Sequence, residues 1–164
     1  MNETLQNLKD RGFLSQCTNI DALSKKMDAG AVTFYEGCDP TGSSLHIGHI
    51  VPYFAFKHLC EAGHLGIALI GGGNARIGDP SGKTEMRKII SYEQIDSNFE
   101  SIKKQLDGFL HFDGKNIITV NNKDWLSDLN YIDFLREIGS CLSVNKMLTF
   151  EAYKQRLEKG LSFF

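Results

Sequence analysis

One stretch decides the fold of this 164-residue chain, and it reads Tyr35-Glu-Gly-Cys-Asp-Pro-Thr-Gly-Ser-Ser-Leu-His-Ile-Gly-His49. It overlaps a short run rich in β-branched and aromatic residues, which predicts a strand over about 31–36. After it, apolar residues recur with helical spacing to about Ala62, and Gly63 is suited to end that helix. The pattern therefore predicts a strand, a tight loop and a helix in succession.

The start of this helix is suited to bind a phosphate group. The first turn of a helix has unpaired N–H groups and the positive end of the macrodipole. No Asp or Glu lies between Leu45 and Cys60 to compete for that end. We interpret His46-Ile-Gly-His49 as a phosphate cradle, in which the imidazoles donate to phosphate oxygens and the glycine lets a ligand ring approach. The alternative is a pair of ordinary histidines, and Pro52 either kinks the helix or is merely tolerated.

A metal site is not predicted at this pair, because the other histidines lie at no convincing ligand spacing from it. The four cysteines are scattered without a C-x-x-C pair, so neither a zinc site nor a disulfide framework is indicated. The net charge of −2 gives no reason to expect nucleic-acid binding over the whole surface. The N-terminus is unlike a secretory signal and no apolar run could span a bilayer, so we expect a cytoplasmic protein without membrane contact.

A second glycine-rich segment follows a second predicted strand, Leu65–Ile70. The glycines of Gly71–Lys83 predict a loop without regular structure, and its order of residues is not that of a Walker A motif. Asp79 is either a turn former or a carboxylate for a ligand's ammonium group. Lys83 and Arg87 either bind a pyrophosphate leaving group or belong to a solvated basic face.

The alternation of strands and helices predicts an α/β fold with a parallel sheet and flanking helices. The remaining predicted elements are helices over 3–13 and 20–29, a helix that Ser91 and Gln94 open with a capping box, a strand over 116–120, and helices over 130–138 and 149–159. Because ligands of such sheets bind beyond the carboxyl ends of the strands, we expect both glycine-containing loops to open onto one crevice.

Together these motifs resemble the class I aminoacyl-tRNA synthetases, and among them the bacterial tyrosyl-tRNA synthetases. The HIGH signature of that class stands here as His46-Ile-Gly-His49, and Gly78-Asp-Pro-Ser-Gly-Lys83 matches a second signature of the tyrosine enzymes. The resemblance implies a Rossmann-like (HUP-type) catalytic domain that activates tyrosine with ATP and transfers it to tRNA(Tyr). It also implies Mg²⁺ on the ATP phosphates, no metal bound by the protein itself, and a homodimer.

The resemblance also assigns roles to residues of this chain. The implied catalytic residues are Thr41, His46, His49, Lys83 and Arg87. The implied ATP-binding residues are Gly37, Asp39, Pro40, Gly48 and His49, and the implied tyrosine-binding residues are Tyr35, Leu69, Asn74 and Asp79, with Asn122 and Trp125 in support. Glu36, Cys38 and Asn74 depart from the residues common in the family at those positions.

The resemblance divides the chain into N-terminal helices over 1–30 and the first part of the catalytic domain over 31–164. The apolar end Leu161–Phe164 and the small number of strands predict that the chain stops inside this domain. Such a fragment is expected to be inactive alone. The alternative is a stand-alone nucleotide-binding or regulatory module that has kept the cradle without the ligase chemistry.

Overall fold

The computed structural model describes residues 1–77 and 90–150, together with residues 153 and 157. Three of the predicted site residues, Asp79, Lys83 and Arg87, lie outside these ranges, as does most of the helix predicted over 149–159.

A parallel three-stranded sheet organises the fold, in the order β1 (Thr33–Cys38), β2 (Leu65–Ile70) and β3 (Ile117–Asn121). Tyr35 is in register with Ile67, and Ile67 with Ile118. The predicted α/β fold with a parallel sheet is confirmed. β2 begins and ends as predicted, whereas β1 begins two residues later than expected and continues to Cys38.

The helices flank this sheet and largely follow the predicted pattern. They are α1 (Glu3–Asp10), α2 (Ile20–Ala29), α3 (Ile47–Glu61), α4 (Gly72–Ile77), α5 (Tyr92–Leu110), α6 (Lys123–Leu126), α7 (Tyr131–Glu137) and α8 (Val144–Met147), with a 3-10 turn over Gly139–Cys141. α3 is continuous through Pro52, so this proline does not end the helix. Gly63 follows the helix at φ +89°, the left-handed conformation that the sequence predicts. Ser91 caps α5 by accepting from the Gln94 N–H, but the Gln94 side chain donates to Asn98 and does not complete the capping box.

The main core lies between the sheet and the two long helices, α3 and α5. Its buried side chains are Tyr53 and Phe56 of α3, Ala68 and Ile70 of β2, and Ile102, Leu106 and Leu110 of α5. A side chain at Gly66 would collide with the Phe56 ring and the Cys60 sulfur, so this glycine lets α3 approach the sheet closely. Because the strand order follows the chain order, the two crossovers step in the same direction, and both helices pack on one face of the sheet.

The other face of the sheet is more open in the part of the chain that the structure describes. The uninterrupted apolar run of β2 predicts burial on both faces, yet Leu65, Ile67 and Leu69 are partly exposed while Gly66, Ala68 and Ile70 are buried. Tyr35 lies on this open face and is 71% exposed.

A second, smaller core joins the N-terminal helices to the start of the sheet. Leu5 of α1, Met27 of α2 and Val32 are buried together, with Leu59 of α3 packed against them. The Val32 N–H donates to Nδ1 of the buried His64 at 3.3 Å, and the Leu65 N–H donates to the Val32 carbonyl at 2.9 Å. These bonds fix where β1 and β2 enter the sheet. Among the described helices, none is long and apolar enough to cross a membrane.

Candidate functional site

A loop over 39–46 connects the carboxyl end of β1 to the start of α3. The Thr41 N–H donates to the Asp39 carbonyl at 2.9 Å, which makes a tight turn around the fully buried Pro40. Thr41 is exposed at the outside of this turn. The sequence-predicted residues Asp39, Pro40 and Thr41 therefore stand together at the end of the first strand.

Helix α5 holds this loop with two polar side chains, Asn98 and Gln105. The Asn98 amide donates to the Pro40 carbonyl at 3.0 Å. Gln105 accepts from the Leu45 N–H at 3.0 Å and donates to the Ser43 carbonyl at 3.0 Å. Neither residue was predicted from the sequence. Asn98 interrupts the apolar stripe of α5, and a polar residue at such a position indicates a buried hydrogen bond to another element.

The two histidines of the cradle stack on each other at the start of α3. The ring centroids of His46 and His49 are 3.7 Å apart with the planes 16° from parallel. The His46 N–H donates to Nδ1 of His49 at 3.3 Å, so the neutral His49 ring has its proton on Nε2. An imidazole with a proton on Nε2 can donate it to an anionic ligand.

The space beside the α-carbon of Gly48 is occupied by the imidazole ring of His46. A β-carbon built on Gly48 would lie 3.0 Å from Cε1 and 3.1 Å from Nδ1 of His46. That is tighter than ordinary carbon contacts, so a side chain at this position would push the His46 imidazole away from His49. Gly48 therefore sets the stacking of the pair.

The ends of β1 and β2 meet directly. The Gly71 N–H donates to the Cys38 carbonyl at 2.9 Å, and a β-carbon on Gly71 would collide with Oδ1 of Asp39. The Asp39 carboxylate therefore lies over the α-carbon of Gly71. Residues 71–77 therefore begin at the same edge of the sheet as the loop over 39–46, and the expected common crevice stays a prediction.

The predicted irregular structure of Gly71–Lys83 is wrong for its first part, because Gly72–Ile77 forms the helix α4. The Gly73 N–H donates to Oδ1 of the buried Asn122 at 2.7 Å, which satisfies an N–H of the first helical turn. The Asn121 side chain lies so close to Gly72 that a β-carbon there would collide with it. Asn74, one of the predicted tyrosine-binding residues, lies half-buried in this helix.

The far end of α4 is anchored by Asp96 of α5. The Asp96 carboxylate accepts from Nη2 of Arg76 at 3.2 Å and from Nζ of Lys123 at 3.1 Å. Desolvation raises the pKa of Asp96, but the donations from Lys123 and Arg76 outweigh it and the net pKa is lowered. The Arg76 guanidinium also lies 4.3 Å from the centre of the Tyr92 ring.

Two of the predicted tyrosine-binding residues share the open face of the sheet. Tyr35 and Gly37 are two residues apart in β1 and therefore lie on the same face, and Gly37 is in register with Leu69 of β2. A β-carbon on Gly37 would meet the Leu69 side chain at 3.5 Å, an ordinary contact distance. Tyr35, Gly37 and Leu69 are thus brought together, on the face opposite α3 and α5.

The thiol nearest the cradle is unsuited to nucleophilic chemistry. The hydroxyl of the buried Tyr53 donates to Sγ of Cys38 at 3.5 Å. Burial raises the pKa of Cys38, and the donation from Tyr53 offsets this only in part. Burial also raises the pKa of Tyr53, so both groups are neutral at physiological pH. The site therefore offers hydrogen-bond donors and a carboxylate, without a thiolate at Cys38.

The described ranges also lack a cluster of metal ligands. Within them, no group of three or more His, Cys, Asp and Glu side chains is placed to hold a metal ion.

Comparison with known proteins agrees with this geometry. The family model described as tRNA synthetases class I (W and Y) matches residues 27–164. Over 163 residues the chain is 65% identical to the tyrosine–tRNA ligase of Treponema denticola and 64% identical to that of Treponema pallidum, and each match covers 99% of this chain and 40% of the relative. A solved structure of a C-terminally truncated mitochondrial tyrosyl-tRNA synthetase from Aspergillus nidulans superposes with a TM-score of 0.84 at 26% identity, over 98% of this chain and 49% of that one.

Proposed function

This chain belongs to the class I tRNA synthetases (W and Y), and from that membership we propose that it supplies the ATP-binding part of a site that activates tyrosine and transfers it to tRNA(Tyr). The chain spans about 40% of the length of the curated relatives it matches. The observation that carries the proposal is the stacked pair His46 and His49 at the start of α3, on the helix that follows the loop beginning at Asp39.

In the proposed first step, the tyrosine carboxylate attacks the α-phosphate of ATP and pyrophosphate leaves. No covalent bond to the protein is needed, so catalysis consists of positioning the reactants and stabilising charge. Thr41 and His46 donate to the phosphate chain as charge moves onto the leaving group, and ATP enters with Mg²⁺ on its phosphates. Lys83 and Arg87 are proposed to bind the leaving pyrophosphate.

The adenosine moiety is proposed to lie along Gly37, Asp39, Pro40, Gly48 and His49. Gly37 leaves the backbone of β1 accessible, whereas Gly48 lets the His46 ring stack on His49. The Asp39 carboxylate can accept from hydroxyl or amine groups of the nucleoside. The hydrogen bond from the His46 N–H to Nδ1 of His49 fixes the orientation of the His49 ring at the start of α3.

The tyrosine substrate is proposed to lie against the open face of the sheet. Tyr35 is in register with Ile67, and Leu69 lies two residues further along β2 on the same face, so the face is apolar with one phenol hydroxyl. Asn74 and Asp79 are proposed to contact the amino group of the substrate, because an amide oxygen and a carboxylate are acceptors for an ammonium group. The first step leaves tyrosyl-adenylate; in a second step a hydroxyl at the 3′ end of tRNA(Tyr) attacks its carbonyl carbon, so that the tyrosyl group passes to the tRNA and AMP leaves. We propose a cytoplasmic location for the protein.

The test is tyrosine-dependent exchange of pyrophosphate into ATP. The proteins compared are this chain and a chimera in which it replaces the 163 matching residues of the Treponema denticola ligase. We expect exchange from the chimera, little or none from the chain alone, and a loss of roughly 10²- to 10³-fold for His46→Ala or His49→Ala in the chimera. His111→Asn is the control, because His111 has a φ of +58° that Asn accepts well.

The outcomes separate the two interpretations of the cradle. A chimera that exchanges only with another amino acid would refute tyrosine as substrate. ATP binding by the chain, combined with a chimera that shows no exchange, would favour the stand-alone nucleotide-binding module instead.

We also propose that α7 contributes to a homodimer interface. Its apolar side chains are exposed: Tyr131 is 60%, Ile132 66% and Leu135 42% exposed. Exposed apolar patches of this kind mark interfaces between proteins. Light scattering after gel filtration should report a dimer for the chimera and a monomer for its Ile132→Glu variant, with Ile77→Glu as an exposed control. A dimer that persists in Ile132→Glu places the interface elsewhere.

A further inference from the structure

The loop over 39–46 has little backbone support of its own. One backbone–backbone hydrogen bond, from the Thr41 N–H to the Asp39 carbonyl, begins and ends within these described residues. A loop with so few internal bonds is free to adopt other conformations unless outside groups hold it. The groups that hold it come from α5, about 60 residues later in the chain.

Asn98 is buried, and both polar atoms of its side chain form hydrogen bonds. It is 3% exposed, its Nδ2 donates to the Pro40 carbonyl at 3.0 Å, and its Oδ1 accepts from Nε2 of Gln94 at 2.9 Å. The second bond fixes which way the amide faces, so that a donor rather than an acceptor meets Pro40. A buried amide is costly unless such partners are present, and this one stands in the apolar stripe between Ile95 and Ile102.

Gln105 holds the second half of the same loop. Its Oε1 accepts from the Leu45 N–H, one residue before His46, and its Nε2 donates to the Ser43 carbonyl. The spacing of seven residues between Asn98 and Gln105 is two helical turns, which puts both side chains on the same side of α5. The two side-chain amides therefore bind the loop near its beginning, at Pro40, and near its end, at Ser43 and Leu45.

We propose that Asn98 and Gln105 are positioning residues for the ATP reaction, acting through Thr41 and His46, and this inference rests on the proposed function. Neither side chain needs to touch ATP. Their amides keep the Pro40 turn and the entry to α3 at fixed places, so that the Thr41 hydroxyl and the His46 imidazole stand where charge develops on the phosphates. Catalysis is sensitive to such placement, since a displacement of about 1 Å can reduce a rate by roughly 100-fold.

The test uses the chimera with Asn98→Asp, which keeps the shape and loses the donor to Pro40, and with Gln105→Met, which removes both bonds to the loop. We expect kcat for exchange to fall by about 10- to 100-fold in each variant, with KM for tyrosine unchanged. Lys104→Ala is the control, since Lys104 is exposed beside Gln105 and should leave both constants unchanged. Gln105→Glu keeps an acceptor for the Leu45 N–H, so its kcat is expected to lie between that of the parent and that of Gln105→Met.

A double-mutant cycle separates positioning from general destabilisation. If Gln105 acts through His46, Gln105→Met should cost much less in a His46→Ala background than in the parent. Equal losses in the two backgrounds, or kcat within about twofold of the parent for both single variants, would overturn the inference.

The inference can also be tested apart from the enzyme activity. In the 164-residue chain itself, Gln105→Met should speed hydrogen exchange of the Leu45 amide by about tenfold or more, while amides of β2 keep their protection. A chimera without tyrosine-dependent exchange would defeat the proposed function alone. If the rate of hydrogen exchange at the Leu45 amide is unchanged in Gln105→Met, the positioning role of Gln105 is refuted and the proposed function is not affected.

Discussion

The Asp39 carboxylate lies against the α-carbon of Gly71, so the carboxyl ends of β1 and β2 meet without space for a side chain between them. The contact joins the loop that leads into α3 to the residue that leads into α4. Any group added at Gly71 must displace either the carboxylate or the second strand. Stability and ATP binding should both respond to such a change.

We therefore expect Gly71→Ala to reduce the free energy of unfolding by about 1–3 kcal/mol, because it overpacks a filled contact. It should also weaken ATP binding, since Asp39 has to move. Urea unfolding and a calorimetric titration measure the two effects. Gly108→Ala is the matched control: a β-carbon added there would have no atom within 4 Å, and alanine favours the helix. Parent-like stability in Gly71→Ala would contradict the contact.

Asn122→Ala should loosen the start of α4. The variant leaves the buried Gly73 N–H without its acceptor, at a cost of about 1–3 kcal/mol. Amide hydrogen exchange should show faster exchange over 73–77, and urea unfolding should show the loss of stability. Asn7→Ala on the exposed side of α1 provides the control. Unchanged protection of α4 would mean that this cap does not hold the helix.

His64→Phe should destabilise the junction between the N-terminal helices and the sheet. The buried imidazole accepts from the Val32 N–H, and a phenyl ring of similar size cannot. The orphaned N–H is expected to cost about 1–3 kcal/mol, read from urea unfolding at about pH 8. His58→Phe, a half-buried position on α3, is the comparison. If both variants unfold alike, the bond to Val32 contributes nothing measurable.

The acid stability of the protein should depend on Asp113. Its carboxylate accepts from the N–H groups of Ile117, Lys115 and Asn116, which lowers its pKa to about 2. A lowered folded-state pKa gives stability that is present above about pH 4 and is lost as the pH falls through about 2. Asp113→Ala should therefore lower the thermal midpoint at neutral pH, and the difference from the parent should shrink as the pH falls from about 4 toward about 2. If the thermal midpoints of the parent and Asp113→Ala differ equally at neutral and at low pH, the charge of Asp113 does not contribute to stability. Asp128→Ala serves as the control.

Thiol labelling should divide the cysteines into two classes. Burial raises the pKa of Cys38, and it raises that of Cys60 to about 11, whereas Cys17 and Cys141 are exposed. Because the thiolate is the reactive form, an aromatic disulfide reagent at about pH 8 should modify two thiols quickly and two slowly. The rate at Cys60 should rise with pH up to about 11. Fast modification of Cys38 at the lower pH would show that its thiol is not held neutral.

Patterns that are local in the sequence predicted local structure well. The apolar run of β2 is bounded by glycines, and Ser91 marks the start of α5, so both elements appear where expected. The rule that parallel strands end at one edge also placed the segments that begin at Asp39 and Gly71 at the same edge of the sheet, as observed. These inferences needed only residues within a few positions of each other, or a general rule of topology.

Features that depend on distant partners were missed. Successive glycines disfavour a helix, and α4 forms because Asn122, which follows β3, caps Gly73 from 49 positions away. The hydrogen bond from Asn98 to the Pro40 carbonyl spans 58 positions. The roles of Asp79, Lys83 and Arg87 remain predictions from the resemblance, since these residues lie outside the described ranges.

The distance between the 39–46 loop and its supports has a consequence for synthesis on the ribosome. The bonds from Asn98 and Gln105 join residues 58 to 62 positions apart, so the loop leaves the ribosome well before the helix that shapes it. At elongation rates of roughly 5–20 residues per second, several seconds pass between the two. During that interval the nascent chain carries the histidines of the cradle without the geometry that they need. The proposed nucleotide site can therefore be completed only after α5 has left the ribosome and docked.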